Sequence, residues 1–439
     1  MAPINGVSQE TIPFSSLAMA RTSSPAFQVL SEYLTFADTN QSQWWLDSGS
    51  LLARMLQLGQ YSTQEQYRHL LFFYRHILPF FGPYPPTWTS IATRSGLSAD
   101  FSLNFQKSAN PVIRMAFEAL NYESGTPKDP FNKIPAAQLL AGVAKHGLKH
   151  FDTALFDHFA ESLFISDAEV GENPNLDAHP IKTHTILAFD FRGDSPLIKV
   201  YARPRWKSMA SGIPVGQLIK DSVGKIKDQI HCTEAFALVD SYMDERKFYD
   251  LRTFVAWDCT PIQKFRMKIY GVHNSVSLSQ VEDAWTLGGR LTDAAALEGL
   301  NLIRRLWALL DINRSPHQRK EDDELLVDYG STQEVLPLFW NYEVNSGSSR
   351  VSPKIYFPVY GESDLEVAVA LSKFFEVLGW QDKADTYVDS VRALFPGLDI
   401  SKTTRLQQLI SFAYIHEKGP YLSVYYHATT SYPMPGQVE

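Results

Sequence analysis

Three short stretches of the chain share one pattern: Lys199-Val-Tyr201, Lys268-Ile-Tyr270 and Lys354-Ile-Tyr356. If each is a β-strand, the lysine and tyrosine share one face and the apolar residue between them takes the other, because successive side chains point to opposite sides. The run from Lys264 to Tyr270 extends the pattern, with Lys264 and Arg266 on the polar face and Phe265, Met267 and Ile269 opposite. Tyr421, Ser423 and Tyr425 alternate against Leu422 and Val424. Gathered on one surface, such cations call for an anion to offset their mutual repulsion. Diphosphate meets the charge and the hydrogen-bond demand, and arginine can grip it through two parallel bonds. Tyrosine hydroxyls can bond phosphate oxygens, and tyrosine faces attract a cation. An allylic diphosphate, which ionises to diphosphate and a carbocation, would need both services at once.

The elements that must position these residues are hairpins. Asp100 to Gln106 alternates strictly, residues 107 to 111 turn, and Val112 to Glu118 alternates again. Asp100, Ser102 and Asn104 share one face, and Arg114 and Glu118 share one on the return strand. Further hairpins are predicted at Thr185–Phe191 with Leu197–Arg203, Thr253–Asp258 with Lys264–Tyr270, Leu338–Val344 with Lys354–Val359, and Ser411–His416 with Tyr421–His427. Helical spacing is predicted over 26–36, 44–58, 64–81, two segments within 135–164, 214–226, 232–243, 278–311 with a break at Gly288-Gly289, 364–379, 383–395, and a start over 403–409. The hairpins begin roughly 70 to 85 residues apart, an approximate repeat of structure and not of sequence. Ten antiparallel strands with apolar outer faces and covering helices imply an α+β fold, a closed barrel wrapped by helices. Closure removes the edges, and a barrel of this size leaves a solvent-filled, ligand-bearing core.

Composition is that of an ordinary globular protein: 439 residues, 44% hydrophobic and 20% charged. A net charge of −8 argues against a nucleic-acid binder working by bulk charge. Two isolated cysteines, Cys232 and Cys259, build neither a disulfide framework nor a Cys-based zinc site. No basic leader with an apolar run and no membrane-length apolar segment is present, so a soluble cytoplasmic protein is expected. Residues 1–23 read as a flexible segment, 24–427 as one domain and 428–439 as a tail.

Other chemistries leave no signature: there is no HExxH, P-loop, GxGxxG or GxSxG. His179 and His184 read as surface or loop residues. Asp322-Asp-Glu324 is a near miss to a magnesium-binding DDxxD, in a polar loop over 314–333 whose Arg319–Glu324 run reads as solvated surface. Asp100 opens its strand either as a hydrogen-bond acceptor or general base for an acceptor N–H or O–H, or as a strand-start residue bonded to local backbone. The residues alone thus describe a barrel for an anionic, partly apolar ligand.

Five motifs carry a resemblance further. Tyr74-Arg-His-Ile-Leu-Pro79 with Gly82-Pro-Tyr-Pro85, Asp100-Phe-Ser-Leu-Asn104, Arg114 with Phe117-Glu118, Trp285-Thr-Leu-Gly-Gly289, and Gly419-Pro-Tyr-Leu-Ser-Val-Tyr425 resemble the fungal indole prenyltransferases of the dimethylallyltryptophan-synthase type. The resemblance runs from about residue 25 to 427. It implies a ten-stranded antiparallel barrel built from αββα units, the ABBA prenyltransferase fold. It also implies metal-independent transfer of a dimethylallyl group from dimethylallyl diphosphate to an aromatic acceptor, with no cofactor. By the same resemblance, Arg114, Lys199, Arg266, Lys268 and Lys354 contact the diphosphate. Tyr201, Tyr270, Tyr356 and Tyr425, with Tyr421 close by, shield the allylic cation. Asp100 is the carboxylate that receives the indole N–H.

Two departures shape the expected acceptor. Most members of the family have Glu where this chain has Asp100, one methylene shorter. Members that prenylate free tryptophan at C4 have Lys at the position of Ile186. The chain resembles most the members acting on tryptophan-containing cyclic dipeptides, which often attach the prenyl group in reverse, through its tertiary carbon. A phenolic, tyrosine-hydroxyl or indole-diterpene acceptor is the same-class alternative, and a non-catalytic isoprenoid-diphosphate-binding barrel the different-class one. Expected partners are small molecules only, with no nucleic acid and no membrane, on a monomer or homodimer.

Overall fold

The computed structural model describes residues 24–107, 109–179, 181–274, 276–312 and 337–429. Five hairpins follow one another: β1 (Ala99–Phe105) and β2 (Val112–Phe117), β3 (Thr185–Phe191) and β4 (Leu197–Ala202), β5 (Phe254–Asp258) and β6 (Arg266–His273), β7 (Leu338–Asn345) and β8 (Ser352–Pro358), β9 (Gln407–Ile415) and β10 (Gly419–His427). Each strand pairs antiparallel with its neighbours in the chain, and β10 returns to pair with β1, so the sheet closes into a ten-stranded barrel. Strand parity settles which side chains point in. The outward set includes Leu103, Met115, Val200, Ile269 and Ile355, all without solvent exposure. Full burial of one such side chain stabilises the fold by roughly 1.5–3 kcal/mol.

The helices between hairpins cover this apolar outer wall. The longest is Ala294–Leu310, capped by the Asp293 side chain accepting from the Ala296 N–H. The expected break precedes it: the helix Leu278–Thr286 ends with Leu287 left-handed at φ 49°, followed by Gly288 and Gly289, also at positive φ. Where β6 meets β7 the wall is tight. A Cβ on Gly271 would lie 2.5 Å from the indole of Trp340, its register partner, so only glycine lets that buried ring lie flat on β6.

Three expectations need correction. Lys264 is not on the strand; it closes a short 3-10 turn, Ile262–Lys264, and β6 begins at Arg266. Residues 403–409 do not start a helix. Buried Asp364, in the first turn of the helix Asp364–Val377, accepts the backbone N–H groups of Leu406 (3.2 Å) and Gln407 (2.8 Å) and feeds the chain directly into β9. Tertiary pairing there overrides the local pattern. His184 is a loop residue but is wholly buried beside Phe164, and burial holds its imidazole neutral, at a pKa of about 3.

Residues 1–23, the 314–333 loop with Arg319–Glu324 and Asp322-Asp-Glu324, and residues 430–439 lie outside the described residues. Among the described residues no helix is long and apolar enough to cross a membrane.

Candidate active site

The inward-facing side chains form layers stacked along the strands. β4, β6 and β8 run in the same direction, each separated from the next by one antiparallel strand. The lysine of each Lys-x-Tyr unit therefore falls at one level and the tyrosine two residues on, about 7 Å further along the barrel. Arg114 on β2 joins this group, and Arg266, two residues before Lys268 on β6, flanks it on the side away from the tyrosines. All five cations of the sequence reading thus meet inside the barrel.

They do not meet alone. Asp190 on β3 is the register partner of Arg114 and accepts from its Nε and, at 3.2 Å, from Nη2; its second oxygen also takes the Lys199 ammonium. Asp258, opposite Lys199 across β4–β5, holds Arg266 through two bonds of 2.8 and 2.9 Å. Glu343 on β7 lies 3.5 Å from Lys268 Nζ and 3.7 Å from Arg266 Nη1. These three carboxylates were missed in the sequence, although each sits at the inward parity of its strand: Ile186-Ala188-Asp190, Phe254-Ala256-Asp258 and Phe339-Asn341-Glu343. Five cations against three carboxylates leave a formal surplus of two positive charges. Lys354 has no carboxylate at ion-pair distance among the described residues; its ammonium lies 4.5 Å from the centroid of the Tyr421 ring.

Crowding shows in the proton affinities. Burial pushes Lys199, Lys268 and Lys354 below the usual lysine range, and Arg114 pushes all three further, joined by Arg266 at Lys199 and Lys268 and by Lys268 at Lys354. Burial would raise Asp190, but Arg114 and Lys199 outweigh it and hold the carboxyl well below the carboxylate range. Burial opposes Glu343 in the same way, and Lys268 and Arg266 bring it to about 2.

The next layer is aromatic. Ring centroids run Tyr201–Tyr270 5.9 Å, Tyr270–Tyr356 6.2 Å and Tyr356–Tyr425 5.9 Å, an unbroken arc around the wall. Phe254 stacks on Tyr270 at 4.0 Å and Phe339 on Tyr356 at 4.4 Å, two rings that the sequence reading did not single out. Asn341 donates to the Tyr356 hydroxyl at 2.9 Å and fixes that ring. Burial raises all four tyrosines, so their hydroxyls stay protonated and the rings neutral. Tyr421 stands apart from the arc, in the cation layer beside Lys354 and Arg114.

Beyond the tyrosines lies a chamber lined by Asp100, Ala116, Ile186 and Leu409, with the four tyrosines forming one wall. None of the five cations lines it, but Arg94, Arg203 and the buried His184 do. Asp100 is nearly buried there, and the loss of water raises its carboxyl to about 7 against the pull of the Ala116 backbone N–H and of Arg114. On the opposite side of the cation layer, Asp258 and Arg266 border a separate cavity of about 520 Å³ with Arg192 and the misassigned Lys264. Along β6 the order is therefore cavity, cations, tyrosines, chamber. Among the described residues no group of three or more His, Cys, Asp or Glu is placed to hold a metal ion.

The chain has relatives among known proteins. Residues 40–390 match the family described as tryptophan dimethylallyltransferase. The chain is 42% identical over 411 residues to echinulin prenyltransferase 1 of Aspergillus ruber, covering 92% of this chain and 98% of that protein. It is 42% identical over 411 residues to the reverse prenyltransferase criA of Aspergillus cristatus, covering 92% of this chain and 94% of that one. The crystal structure of NotF in complex with brevianamide F and DMSPP superimposes with a TM-score of 0.84 at 39% identity, over 93% of this chain and 100% of that one. NotF is named deoxybrevianamide E synthase in an Aspergillus species. The chain therefore belongs to the tryptophan dimethylallyltransferase family of prenyltransferases.

Proposed function

We propose that the protein transfers a dimethylallyl group from dimethylallyl diphosphate to the indole of a tryptophan-containing cyclic dipeptide, in reverse, without a metal ion. The observation that carries this reading is the order of layers along β4, β6 and β8: surplus positive charge, then tyrosine faces, then a largely apolar chamber with one carboxylate, Asp100, and with Arg94 and Arg203 also in its lining. The names of relatives support the acceptor and the mode of attachment, since one is a reverse prenyltransferase and one was crystallised with brevianamide F.

In this reading Arg114, Lys199, Arg266, Lys268 and Lys354 hold the diphosphate. As the C–O bond breaks, its electron pair goes to the leaving diphosphate, and prearranged cations in a water-poor site stabilise the growing charge. The surplus of two charges does the work that a divalent metal does elsewhere. The tyrosine arc stabilises the allylic cation through its ring faces and keeps out water, which would trap the cation as an alcohol. The indole, held in the chamber with its N–H toward Asp100, attacks with its π electrons. A new C–C bond forms to the tertiary carbon of the dimethylallyl unit, and the excess positive charge leaves the indole as a proton, with Asp100 as acceptor. Asp100 is one methylene shorter than Glu, which seats the indole closer to the β1 wall.

Incubation with dimethylallyl diphosphate, excess EDTA and a panel of tryptophan-containing cyclic dipeptides, tryptophan and phenols tests the reading. A product heavier by one C5H8 unit from a cyclic dipeptide is expected. Product from phenols alone would overturn the acceptor, and restoration of activity by magnesium alone would overturn the metal-free mechanism.

A further inference from the structure

The wall of the acceptor chamber contains one irregularity. β9 and β10 pair in register up to Leu409 opposite Tyr425, then shift so that Gln407 faces Tyr426. Gln408 is the extra residue on β9, a β-bulge. A bulge breaks the alternation of faces and re-aims a side chain, and bulges gather beside active sites. The effect is visible here. Leu409 lines the chamber, so strict alternation would turn Gln408 outward; instead both adjacent side chains line it. Gln407 takes the outward place, where Tyr387 donates to it at 3.0 Å and its own amide donates to the Asp364 carbonyl. The bulged backbone is anchored, because the Gln408 carbonyl accepts the N–H groups of Val359 (3.2 Å) and Tyr360 (3.1 Å).

Gln408 thus lines the chamber while only 3% exposed, and its buried Nε2 has no hydrogen-bond partner among the described residues. A buried donor left without a partner is costly, so such a group in a ligand chamber marks a bond that the ligand completes. The indole cannot complete it, since the ring offers an N–H donor and no oxygen. A carboxamide presents C=O and N–H side by side. Its complement is a secondary cis-amide, a lactam edge, which presents N–H and C=O in the matching order.

We propose that Gln408 is the specificity-determining residue for the acceptor, reading one secondary lactam edge through two parallel hydrogen bonds while Asp100 faces the indole N–H. This rests on the cyclic-dipeptide reading above. It assigns discrimination to the bulge of β9 and not to the cation or tyrosine layers.

The test compares the full-length wild type with Gln408→Leu on two acceptors: a tryptophan-containing cyclic dipeptide and the same compound methylated at its lactam nitrogens. Wild type is expected to prefer the unmethylated compound in kcat/KM by about 10- to 100-fold, mainly through KM. Gln408→Leu is expected to lose the same factor on the unmethylated compound and to show no preference beyond about threefold. Thermal stability should be unchanged, since the side-chain amide donates no bond among the described residues. A variant that keeps the wild-type preference overturns the proposal, as does a wild type without preference, which needs no variant to fold. If wild type turns over neither compound but prenylates another indole, the acceptor reading itself has failed, and this inference with it.

Discussion

Asp190 and Arg114 face each other across β2 and β3 as register partners, and the carboxylate takes two guanidinium nitrogens of Arg114 while also holding Lys199. The barrel therefore holds these cations through a carboxylate of its own. Removing one member of a buried ion cluster typically costs about 3–5 kcal/mol, because a desolvated charge is left unpaired. Asp190→Asn should lower the thermal midpoint by several degrees in calorimetry. Added dimethylallyl diphosphate should recover more of that loss than it gains for wild type, since it supplies the missing negative charge. Equal ligand-induced shifts in both proteins would separate Asp190 from the anion site.

The lysines predict a proton signature. Burial and neighbouring cations hold Lys199, Lys268 and Lys354 below the usual lysine range, and an anion beside them must raise them. Diphosphate binding should then take up protons, and its Kd should increase as pH rises through the alkaline range, by up to about tenfold per pH unit for each proton taken up. Titration calorimetry in two buffers of different ionisation enthalpy reads this directly. Heats independent of the buffer would show that these lysines are already charged.

Asp100 should set the acid limb of the pH profile. Its carboxyl, raised to about 7 by burial, carries a proton below that pH and cannot receive one. The kcat/KM for the indole acceptor should fall about tenfold per pH unit below 7 and level off above it. In Asp100→Asn the limb should disappear along with most of the rate. Asp100→Glu reports on the fit of the shorter side chain: turnover should fall if the acceptor is seated for Asp, and an increase would argue the opposite.

Much of this site was legible in the sequence because a strand has a period of two, so a Lys-x-Tyr unit declares its own geometry. Three such units put cations and tyrosines on one inner face; that they form two levels follows only from the common direction of β4, β6 and β8. Asp190, Asp258 and Glu343 escaped for a physical reason. Each is a lone carboxylate at a strand end or beside apolar residues, and only the cross-strand register shows that it lies against a cation. Gln408 escaped because its bulge breaks the period on which the reading relied, and the Thr403–Leu409 run imitates a helix start. Lys264 was included for the opposite reason: its alternation continues into a turn, where side-chain parity no longer marks a face.

The tyrosine arc should act through its faces. Tyr270 stacks on Phe254 at 4.0 Å and touches both neighbouring tyrosines, so it sits at the centre of the shield. Tyr270→Phe keeps the face and should retain turnover within about tenfold. Tyr270→Leu removes it, and the ratio of dimethylallyl alcohol to prenylated product should rise. Mass spectrometry of the reaction mixture measures both. An unchanged ratio in Tyr270→Leu would remove the ring from the role of cation shield.

The central claim is that the diphosphate lies among the cations, the prenyl tail against the tyrosines and the acceptor in the Asp100 chamber. A crystal structure with a non-ionising thiolodiphosphate analogue, grown in EDTA, tests it most directly. The diphosphate is predicted between Arg114, Lys199, Arg266, Lys268 and Lys354, with the dimethylallyl carbons along Tyr201, Tyr270, Tyr356 and Tyr425. Diphosphate density in the Asp100 chamber, or at neither site, would contradict the account.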